Sequence, residues 1–473
     1  MGADAGHDGG FGIDAGADAG NLPDAGRVLT VVDFALYVQP DGGIVEHPRM
    51  GELVSALFFL SDGGLLRLPM VSDGGGVFVA ENAPAGPWVI ESIPQDTFKA
   101  YFDVLDDSQD ISLATYLGRP GIPVTRAEYF RLDLMTQPWG GPRETSLQIS
   151  SRSAGSRFIL YPESPLGSVG VYGPYTASAV SGTAIRTTDD ARISQFQVVF
   201  RDGGAVSSEI VGSAAVGGVT LPGPYVSAIL LPVANVGNAK AVLDAGTIAS
   251  LIGGAGFSSG ITIEELAGDL RPLIAAQVFY IDFENVFDSY QFNVPHPSGS
   301  PVSAEFRCTL PSASLVPTAD GGLEASDAGF LLQAAQDQSA YTIDYLHLDG
   351  GVVTPPLVGM PQAILVDGLS VPGVVSASPT VSWSAPATGN TTYYQVIVRR
   401  LTRSGNSFVR SVIALLYTTG MRVQIPRDLL VSGERYGFQV SAISTQPSES
   451  RRPWKLKLPI SVGSRESPIV FVK

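Results

Sequence analysis

Glycine-rich tight turns constrain this chain more than any other feature of its sequence. The tripeptides Asp62-Gly63-Gly64, Asp73-Gly74-Gly75 and Asp202-Gly203-Gly204 lie between short apolar runs. Glycine in such turns supplies the positive φ that other residues disfavour. The 473 residues include 54 Gly and 34 Pro with no fixed period, together with 44% apolar residues. This combination favours many short strands joined by tight turns.

We therefore predict a mostly β chain, built from several tandem β-sandwich domains with one small helical insertion. At roughly 100–200 residues per domain, the length predicts about two to four domains. The predicted units are an acidic tether (1–27), a first sandwich (28–94), a second sandwich (95–231), a β region (232–350) with the helical insertion at 239–277, a linker (351–361) and a last sandwich (362–473). In the second sandwich, β-branched and aromatic runs predict strands at 146–150, 157–161, 168–172, 184–188, 194–201 and 225–231.

Net charge and cysteine content exclude several classes of function. With a formal charge of −16 and only five Lys, the chain cannot neutralise a phosphate backbone well, so we expect no nucleic-acid partner. No apolar run reaches about 18 residues, so we expect no transmembrane helix. Cys308 is the only cysteine, which rules out an intrachain disulfide, and the four His have no zinc-site spacing.

The N-terminal segment is a low-complexity acidic stretch. Asp4-Ala5-Gly6, Asp14-Ala15-Gly16 and Asp24-Ala25-Gly26 are among its repeats, and so little apolar mass predicts a flexible tether. The segment resembles the spacer that follows the lipidated cysteine in bacterial surface lipoproteins. That resemblance implies an exported protein whose signal was removed and whose lipid anchor lay upstream. A disordered terminus without an anchoring role is the alternative.

The C-terminal unit carries the most specific sequence pattern. Residues 380–383 alternate polar and apolar, and a Leu precedes a Tyr by six positions at the start of a later strand. The residues that define the pattern are Trp383, Tyr394, Leu430, Tyr436 and Phe438. Their spacing resembles the fibronectin type III family, which implies that all five are structural core residues. It also implies a corner at which the Tyr hydroxyl returns to the backbone, and a closing strand at 467–472.

The first folded unit carries a second resemblance. Residues 73–90 combine an Asp-Gly turn, a strand around Phe78, the turn Pro84-Ala85-Gly86 and a final apolar strand. This order is similar to that of the carboxypeptidase regulatory-like or transthyretin-like sandwich family. The resemblance implies a structural or adhesive module.

An acidic cluster follows the first sandwich. Its carboxylates are Asp103, Asp106, Asp107 and Asp110. Clustered carboxylates can bind Ca²⁺ through hard oxygen ligands, so these residues are a candidate calcium site. Their spacing departs from the calcium-loop pattern, and a solvated acidic turn is the alternative. We expect no other cofactor.

A single aromatic-rich strand predicted at 279–292 is a candidate carbohydrate site. It carries Tyr280, Asp282, Glu284 and Tyr290. Two carboxylates beside aromatic rings suit sugar binding or glycoside hydrolysis. An aromatic strand within a sandwich core is the alternative.

The predicted helical insertion rests on two short motifs. Thr262-Ile263-Glu264-Glu265 matches a capping box at a helix start. Gly256-Phe257-Ser258-Ser259-Gly260 is a formal G-x-S-x-G motif, and a nucleophile elbow requires a strand before Ser258 and a helix after it. A glycine-rich turn between two helices is the alternative interpretation.

The sequence as a whole favours a non-enzymatic, exported cell-surface protein that acts in structure, adhesion or protein–protein interaction. Exposed sandwich edges and loops would bind a protein partner at the bacterial cell envelope. A carbohydrate-binding or carbohydrate-active protein is the second hypothesis. A serine hydrolase at Ser258 is the third.

Overall fold

The computed structural model describes residues 27–39, 43–49, 52–60, 64–93, 98–104, 106–113, 115–121, 128–139, 145–151, 153–162, 170–181, 183–200, 206–218, 225–232, 236–243, 258–265, 277–283, 290–297, 302–309, 316–317, 323–324, 342–346, 348–349, 352–353, 358–404, 407–444, 454 and 460–473. Only the backbone is described between residues 236 and 353. In all of these ranges the regular elements are β-strands that form several sheets, which confirms the mostly β prediction. No helix among these residues is long and apolar enough to cross a membrane.

Short strands in three sets make up the N-terminal unit. They are β1 (Leu29–Val32), β2 (Phe34–Val38), β3 (Ile44–Pro48), β4 (Leu53–Phe59), β5 (Leu65–Pro69), β6 (Val71–Ser72), β7 (Val77–Ala80), β8 (Val89–Ile93), β9 (Lys99–Asp103), β10 (Ser108–Asp110) and β11 (Thr115–Leu117). The sets run in the orders β10–β1–β7–β6, β11–β2–β3 and β5–β4–β8–β9. Because β9, β10 and β11 pair with earlier strands, these sheets extend past residue 94.

The turn before β7 shows the glycine chemistry expected from the sequence. The Asp73 carboxylate accepts hydrogen bonds from the backbone N–H of Gly75 at 2.6 Å and of Val77 at 3.2 Å. Gly74 and Gly76 have φ of 80° and 85°. The aspartate thus closes the turn, and the two glycines supply its left-handed positions.

The second unit is also a sandwich of short strands. Its strands are β12 (Glu128–Met135), β13 (Thr145–Ser151), β14 (Ser156–Leu160), β15 (Gly170–Ser181), β16 (Ala191–Phe200), β17 (Val206–Val216), β18 (Tyr225–Ile229) and β19 (Leu231–Pro232). One sheet has the order β15–β12–β18, and β15 continues into a second with the order β15–β14–β13–β16–β17. Phe130, Leu132, Ile149, Phe158 and Ile193 are buried in one cluster between them.

The strand predicted at 184–188 is wrong. The backbone there makes a turn, and the Asp189 carboxylate accepts a hydrogen bond from the Arg186 N–H at 2.7 Å. The Asp189 N–H in turn donates to the Arg186 carbonyl at 3.0 Å. A short polar side chain that bonds the nearby backbone competes with strand formation.

The central region consists of strands in every part that is described. They are β20 (Val236–Leu243), β21 (Ser258–Glu265), β22 (Gln277–Phe283), β23 (Tyr290–Pro297), β24 (Val302–Thr309), β25 (Val316–Pro317), β26 (Leu323–Glu324), β27 (Thr342–Leu346), β28 (Leu348–Asp349) and β29 (Val352–Val353). Cys308 lies in β24, opposite Ser259 of β21.

The helical insertion predicted at 239–277 does not appear in the described residues. Residues 239–243 belong to β20, and the supposed capping box lies in β21, which pairs with β22 on one side and β24 on the other. A capping box is a local signal, and here pairing with two neighbouring strands outweighs it. Ile261 and Ile263 are β-branched residues, which favour strands, and they alternate along β21. Residues 244–257 and 266–276 lie outside the described residues.

The C-terminal unit is a β-sandwich. Its strands are β30 (Gln362–Val366), β31 (Gly373–Val375), β32 (Thr380–Ser384), β33 (Tyr393–Ser404), β34 (Ser407–Thr418), β35 (Arg422–Gln424), β36 (Arg435–Ser444), β37 (Ile460–Glu466) and β38 (Val470–Val472). A sheet of order β30–β32–β35 packs on a second sheet with β34–β33–β36 at its centre. The buried residues between the sheets include Trp383, Tyr394, Leu430, Tyr436 and Phe438.

Two details of this sandwich concern the predicted corner and closing strand. The Tyr436 hydroxyl accepts a hydrogen bond from the backbone N–H of Val431 at 2.9 Å, which ties the corner to the start of β36. The last strand, β38, is shorter than the predicted 467–472. The chain before it forms β37, which pairs with β36 and also with β27. Ser467 lies between β37 and β38, and its hydroxyl accepts a hydrogen bond from the Phe438 N–H at 3.0 Å, which holds this connection to β36.

The first and last sandwiches share one sheet. Strand β9 pairs in parallel with β34, so the order β5–β4–β8–β9–β34–β33–β36 is continuous. Alternate residues of these strands enter two different cores. On β4, Leu57 lies in the C-terminal core and Phe58 in the N-terminal core. On β34, Leu416 and Tyr417 divide in the same way. The result is a three-layered body in which the shared sheet is the middle layer.

Candidate functional site

Aromatic side chains pack together on the side of the shared sheet that faces the N-terminal core. The rings of Phe102 and Tyr417 stack with centroids 4.9 Å apart and planes within 6° of each other. Trp454 lies against both rings, and its backbone carbonyl accepts a hydrogen bond from the Tyr393 hydroxyl at 3.2 Å. These four side chains are almost completely buried. Such aromatic pairs contribute about 0.5–1.5 kcal/mol each beyond the burial of their area.

A network of ion pairs around the buried Glu91 lies on the C-terminal side of the same sheet. The fully buried Glu91 carboxylate accepts hydrogen bonds from Arg67 at 2.7 Å, from Lys99 at 3.2 Å and from the Tyr101 hydroxyl at 3.0 Å. Arg67 also donates to Asp428 of the C-terminal sandwich at 2.6 Å. Every charge that leaves water here gains an opposite charge, which offsets the cost of burial.

The protonation states in this network follow from its contacts. The hydrogen bonds from Arg67 to Glu91 and Asp428 raise the pKa of Arg67 above its ordinary value. Burial, followed by the charge of Glu91, raises the pKa of the Tyr101 hydroxyl. Burial opposes ionisation of Asp428, but the hydrogen bond from Arg67 and the charge of Lys99 outweigh it and hold its pKa low. Arg67 and Asp428 are therefore charged at neutral pH, and the Tyr101 hydroxyl keeps its proton.

The four carboxylates of the predicted calcium site have separate partners. Asp103 accepts a hydrogen bond from the Thr418 hydroxyl at 3.1 Å, and Asp107 accepts one from Arg27 at 3.0 Å. Asp106 and Asp110 accept from the N–H groups of Ser108 and Ser112, two residues along the chain. No group of three or more His, Cys, Asp or Glu that could hold a metal ion occurs among the described residues. Calcium binding by this cluster stays a prediction.

Burial changes the chemistry of Asp103. Loss of solvent raises the pKa of its carboxyl group to about 6, although the hydrogen bonds from Thr418 and from the Val104 N–H act in the opposite direction. Asp103 ends β9 beside β34, so it titrates at the junction of the two sandwiches. The sequence shows an acidic cluster here but does not show which of its members is buried.

A buried carboxyl pair in the N-terminal unit was not predicted. Asp33 and Glu52 are almost completely buried, and Arg49 lies 3.5 Å from Asp33 and closer still to Glu52. Burial, a hydrogen bond with Glu52 and the charge of Glu52 raise the pKa of Asp33 to about 10. One sequence signal was available, because Asp33 interrupts an otherwise apolar run between β1 and β2. The Asp33 carboxyl group therefore keeps its proton at neutral pH.

The residues of the predicted carbohydrate site do not share one strand. Tyr280 and Asp282 lie in β22, between β17 and β21, whereas Tyr290 begins β23, which pairs with β20 in another sheet. The prediction of a single aromatic strand over 279–292 is therefore wrong. Glu284 lies outside the described residues. Sugar binding by the other three residues stays a prediction.

Ser258 does not have the backbone setting of a nucleophile elbow. It is the first residue of β21, opposite Thr309 of β24, and the chain continues as a strand through Glu265. An elbow requires a helix directly after the serine. The alternative interpretation, a glycine-rich turn between two helices, is equally wrong because residues 258–265 are a strand.

The sheet β15–β12–β18 carries a contiguous exposed surface that sequence reasoning missed. Its outward residues include Tyr129, Arg131, Asp133 and Met135 of β12, Tyr172 and Pro174 of β15, and Tyr225 and Ile229 of β18. We call these eight residues the tyrosine face. Tyr172 and Ile229 are each 62% exposed, and Tyr129 is 51% exposed. Single exposed apolar residues are ordinary, but a contiguous set marks an interaction surface.

The pairing register places these side chains side by side. Asp133 lies opposite Tyr172, and Met135 lies opposite Ile229. The Tyr225 hydroxyl donates a hydrogen bond to Asp133 at 3.0 Å. A Cβ on Gly170 would lie 2.5 Å from the Tyr172 ring, so the ring rests over this glycine beside Met135. The alternation in 129–135 was a sequence signal for this strand, whose inward residues Phe130, Leu132 and Leu134 are buried.

Comparison with known proteins identifies no family. No protein-family model matches the chain, and no curated protein matches it. Among solved structures, the chain is similar to the FN1-FN3 domains of chicken CNTN1, at 9% identity over 68% of this chain and 89% of that one, with a TM-score of 0.14. It is also similar to a tetra-tandem repeat in the extending region of a large adhesion protein, at 11% identity over 92% and 98% of the two chains, with a TM-score of 0.13. At such TM-scores the likeness carries no argument about function.

Proposed function

We propose that this chain is a non-enzymatic protein, exported to the bacterial cell surface, that acts in structure, adhesion or protein–protein interaction through its β-sandwich modules. The observation that carries the proposal is the tyrosine face. Tyrosine, methionine and arginine are enriched at protein–protein interfaces, whereas lysine, glutamate and aspartate are depleted there. The tyrosine face contains the first three types and, of the last three, only Asp133.

The ion pairs around Glu91 support a structural role. Arg67 and Lys99 each contact both Glu91 and Asp428, so they connect the first sandwich to the last. The resemblance of residues 1–26 to a lipoprotein spacer supports export and a lipid anchor upstream of the folded units. The tether would then hold the sandwiches away from the membrane.

The proposal is tested by binding of the full chain to a cell-envelope extract, with a panel of soluble glycans run beside it. We expect the immobilised protein to retain a protein partner in about 1:1 ratio. Tyr172→Ser and Ile229→Ser each remove exposed apolar surface from the tyrosine face, so each should weaken retention about ten-fold. Val409→Ser makes a matched change at an exposed valine of β34 and should have no effect.

Two outcomes would count against this function. Retention that is the same in the wild type, the two face variants and Val409→Ser would show that the tyrosine face binds nothing in the envelope. Retention of glycans without any protein would favour the carbohydrate hypothesis.

A further inference from the structure

The tyrosine face is complementary to itself along β12 and β15. Arg131 and Asp133 are exposed on the same side of β12, one on each side of the buried Leu132. Tyr129 and Met135 flank Leu132 at the next exposed positions. On the neighbouring β15, Gly173 lies opposite Leu132, with Tyr172 and Pro174 on either side of it. The face thus has a centre at the level of Leu132 and Gly173, with different but compatible groups on its two sides.

We propose that the tyrosine face binds the tyrosine face of a second copy of this chain through a two-fold axis. The axis lies in the plane between the two stacked sheets and runs perpendicular to the strands. It passes over β12 at the level of Leu132. This inference rests on the proposed function and names the partner that the face takes. A two-fold contact presents the same surface from both copies, so every pair of contacts occurs twice.

The axis brings together groups that attract one another. Because the stacked strands run antiparallel, Arg131 of each copy meets Asp133 of the other. Tyr129 meets Met135, a sulfur–aromatic contact, and Tyr172 meets Pro174. Two sheets packed face to face lie about 10 Å apart, a distance that side chains of these sizes fill.

Charge argues for a second copy at this position. The chain carries a formal charge of −16, so two copies repel each other over most of their surfaces. The tyrosine face holds one positive and one negative side chain, Arg131 and Asp133, and is therefore neutral. A neutral, apolar and self-complementary patch is where two such acidic chains can make contact.

The size of the face sets the expected strength of the contact. Three strands about 4.8 Å apart and seven residues of about 3.3 Å each give a face of about 15 by 23 Å. The area of the face, about 350 Å², is well below the roughly 800 Å² that each partner buries in a stable interface. The dimer is therefore weak, with a Kd of about 10–100 µM.

Sedimentation of the full chain between about 5 and 500 µM tests the proposal. The wild type should shift from monomer to dimer across this range. Arg131→Asp makes the face wholly negative and Asp133→Arg makes it wholly positive, so each variant alone should weaken self-association at least about ten-fold. An equimolar mixture of the two variants should dimerise again, because each negative face then meets a positive one. The double variant with both changes should also self-associate.

Control variants keep the outcomes distinct. Arg422→Asp makes the same charge change at an exposed arginine of β35 and should leave the dimer unaffected. Thermal unfolding followed by circular dichroism should give equal midpoints for all variants, which separates loss of contact from loss of fold. A wild type that remains monomeric at about 500 µM overturns the proposal, as does a mixture that remains monomeric although the wild type dimerises. Loss of envelope binding in Tyr172→Ser together with a monomeric wild type would overturn the second copy as partner and leave the proposed function standing.

Discussion

The carboxyl group of Asp103 shows how burial sets the behaviour of a single residue. Its ordinary pKa of 3.8 rises to about 6 at the junction of the two sandwiches. Between these values the unfolded chain has lost the proton and the folded chain still holds it, so the free energy of unfolding falls as the pH rises. Above about pH 6 the loss is complete, and about 2 pKa units correspond to at most about 3 kcal/mol.

Asp103→Asn removes this charge and should stabilise the protein at about pH 7.5 by about 1–2 kcal/mol. The gain is smaller than the full cost because the amide cannot accept both of the hydrogen bonds that the carboxylate accepts. Near pH 4 the difference should vanish. Urea-induced unfolding at the two pH values measures it. A gain for Asp103→Asn of equal size at both pH values would mean that burial does not raise the pKa of this carboxyl group.

At the scale of residues, the sequence predicted contacts between residues close in the chain, but it did not predict which side chains are buried. Tyr436 was expected at a corner because its spacing from Leu430 is local, and its hydroxyl bonds the backbone five residues back. Asp33 and Glu52 were not expected as a pair because they come together only when β1 and β4 pack into one core. The acidic cluster at 103–110 was visible, but its division among four separate partners depends on Arg27 and Thr418, which are distant in sequence.

At the scale of elements, the turn before β7 offers a direct test of the glycine argument. Gly74 and Gly76 both have positive φ, but their surroundings differ. No atom lies within 4 Å of the position of a Cβ on Gly74, whereas a Cβ on Gly76 would lie 2.7 Å from the Phe34 ring and 3.1 Å from the Asp33 carbonyl oxygen.

Gly74→Ala should therefore cost only the strain of a left-handed alanine, about 1 kcal/mol. Gly76→Ala should cost about 1–3 kcal/mol more, because the ring and the backbone must also shift. Differential scanning calorimetry of the two variants measures the difference as a lower midpoint for Gly76→Ala. Equal midpoints would mean that the close approach of Phe34 to this turn is wrong.

Alternation of apolar and polar residues predicted most strands. Short motifs gave wrong predictions where pairing with strands distant in sequence determines the structure. The capping box at 262–265 indicates a helix only if the residues that follow it can become helical. Here the box lies within β21, which pairs with β22 and β24. The single strand expected over 279–292 became β22 and β23 in two sheets. The tyrosine face escaped prediction because exposure depends on what packs over a strand, which no local pattern records.

At the scale of the whole molecule, the shared sheet makes the first and last sandwiches one body instead of two separate modules. The sequence predicted tandem sandwiches, and the structure joins the first to the last through β9 and β34. A signal for this was present: β4 and β34 read as nearly continuous apolar runs, which is typical of strands buried on both faces. The parallel pairing of segments some 310 residues apart could not be read from the sequence.

Joining of the first and last sandwiches is tested most directly by cleaving the chain between them. A protease site placed in residues 122–127 would separate the N-terminal unit from the rest without touching a described strand. We expect the N-terminal fragment to remain bound during gel filtration, because Glu91, Arg67 and Asp428 and the stack of Phe102 on Tyr417 still connect it. Arg67→Ala combined with Phe102→Ser should release the fragment, whereas Arg119→Ala, which removes the contact with Asp189 near the cut, should not. An N-terminal fragment that elutes alone after cleavage of the otherwise unaltered chain would contradict the shared sheet.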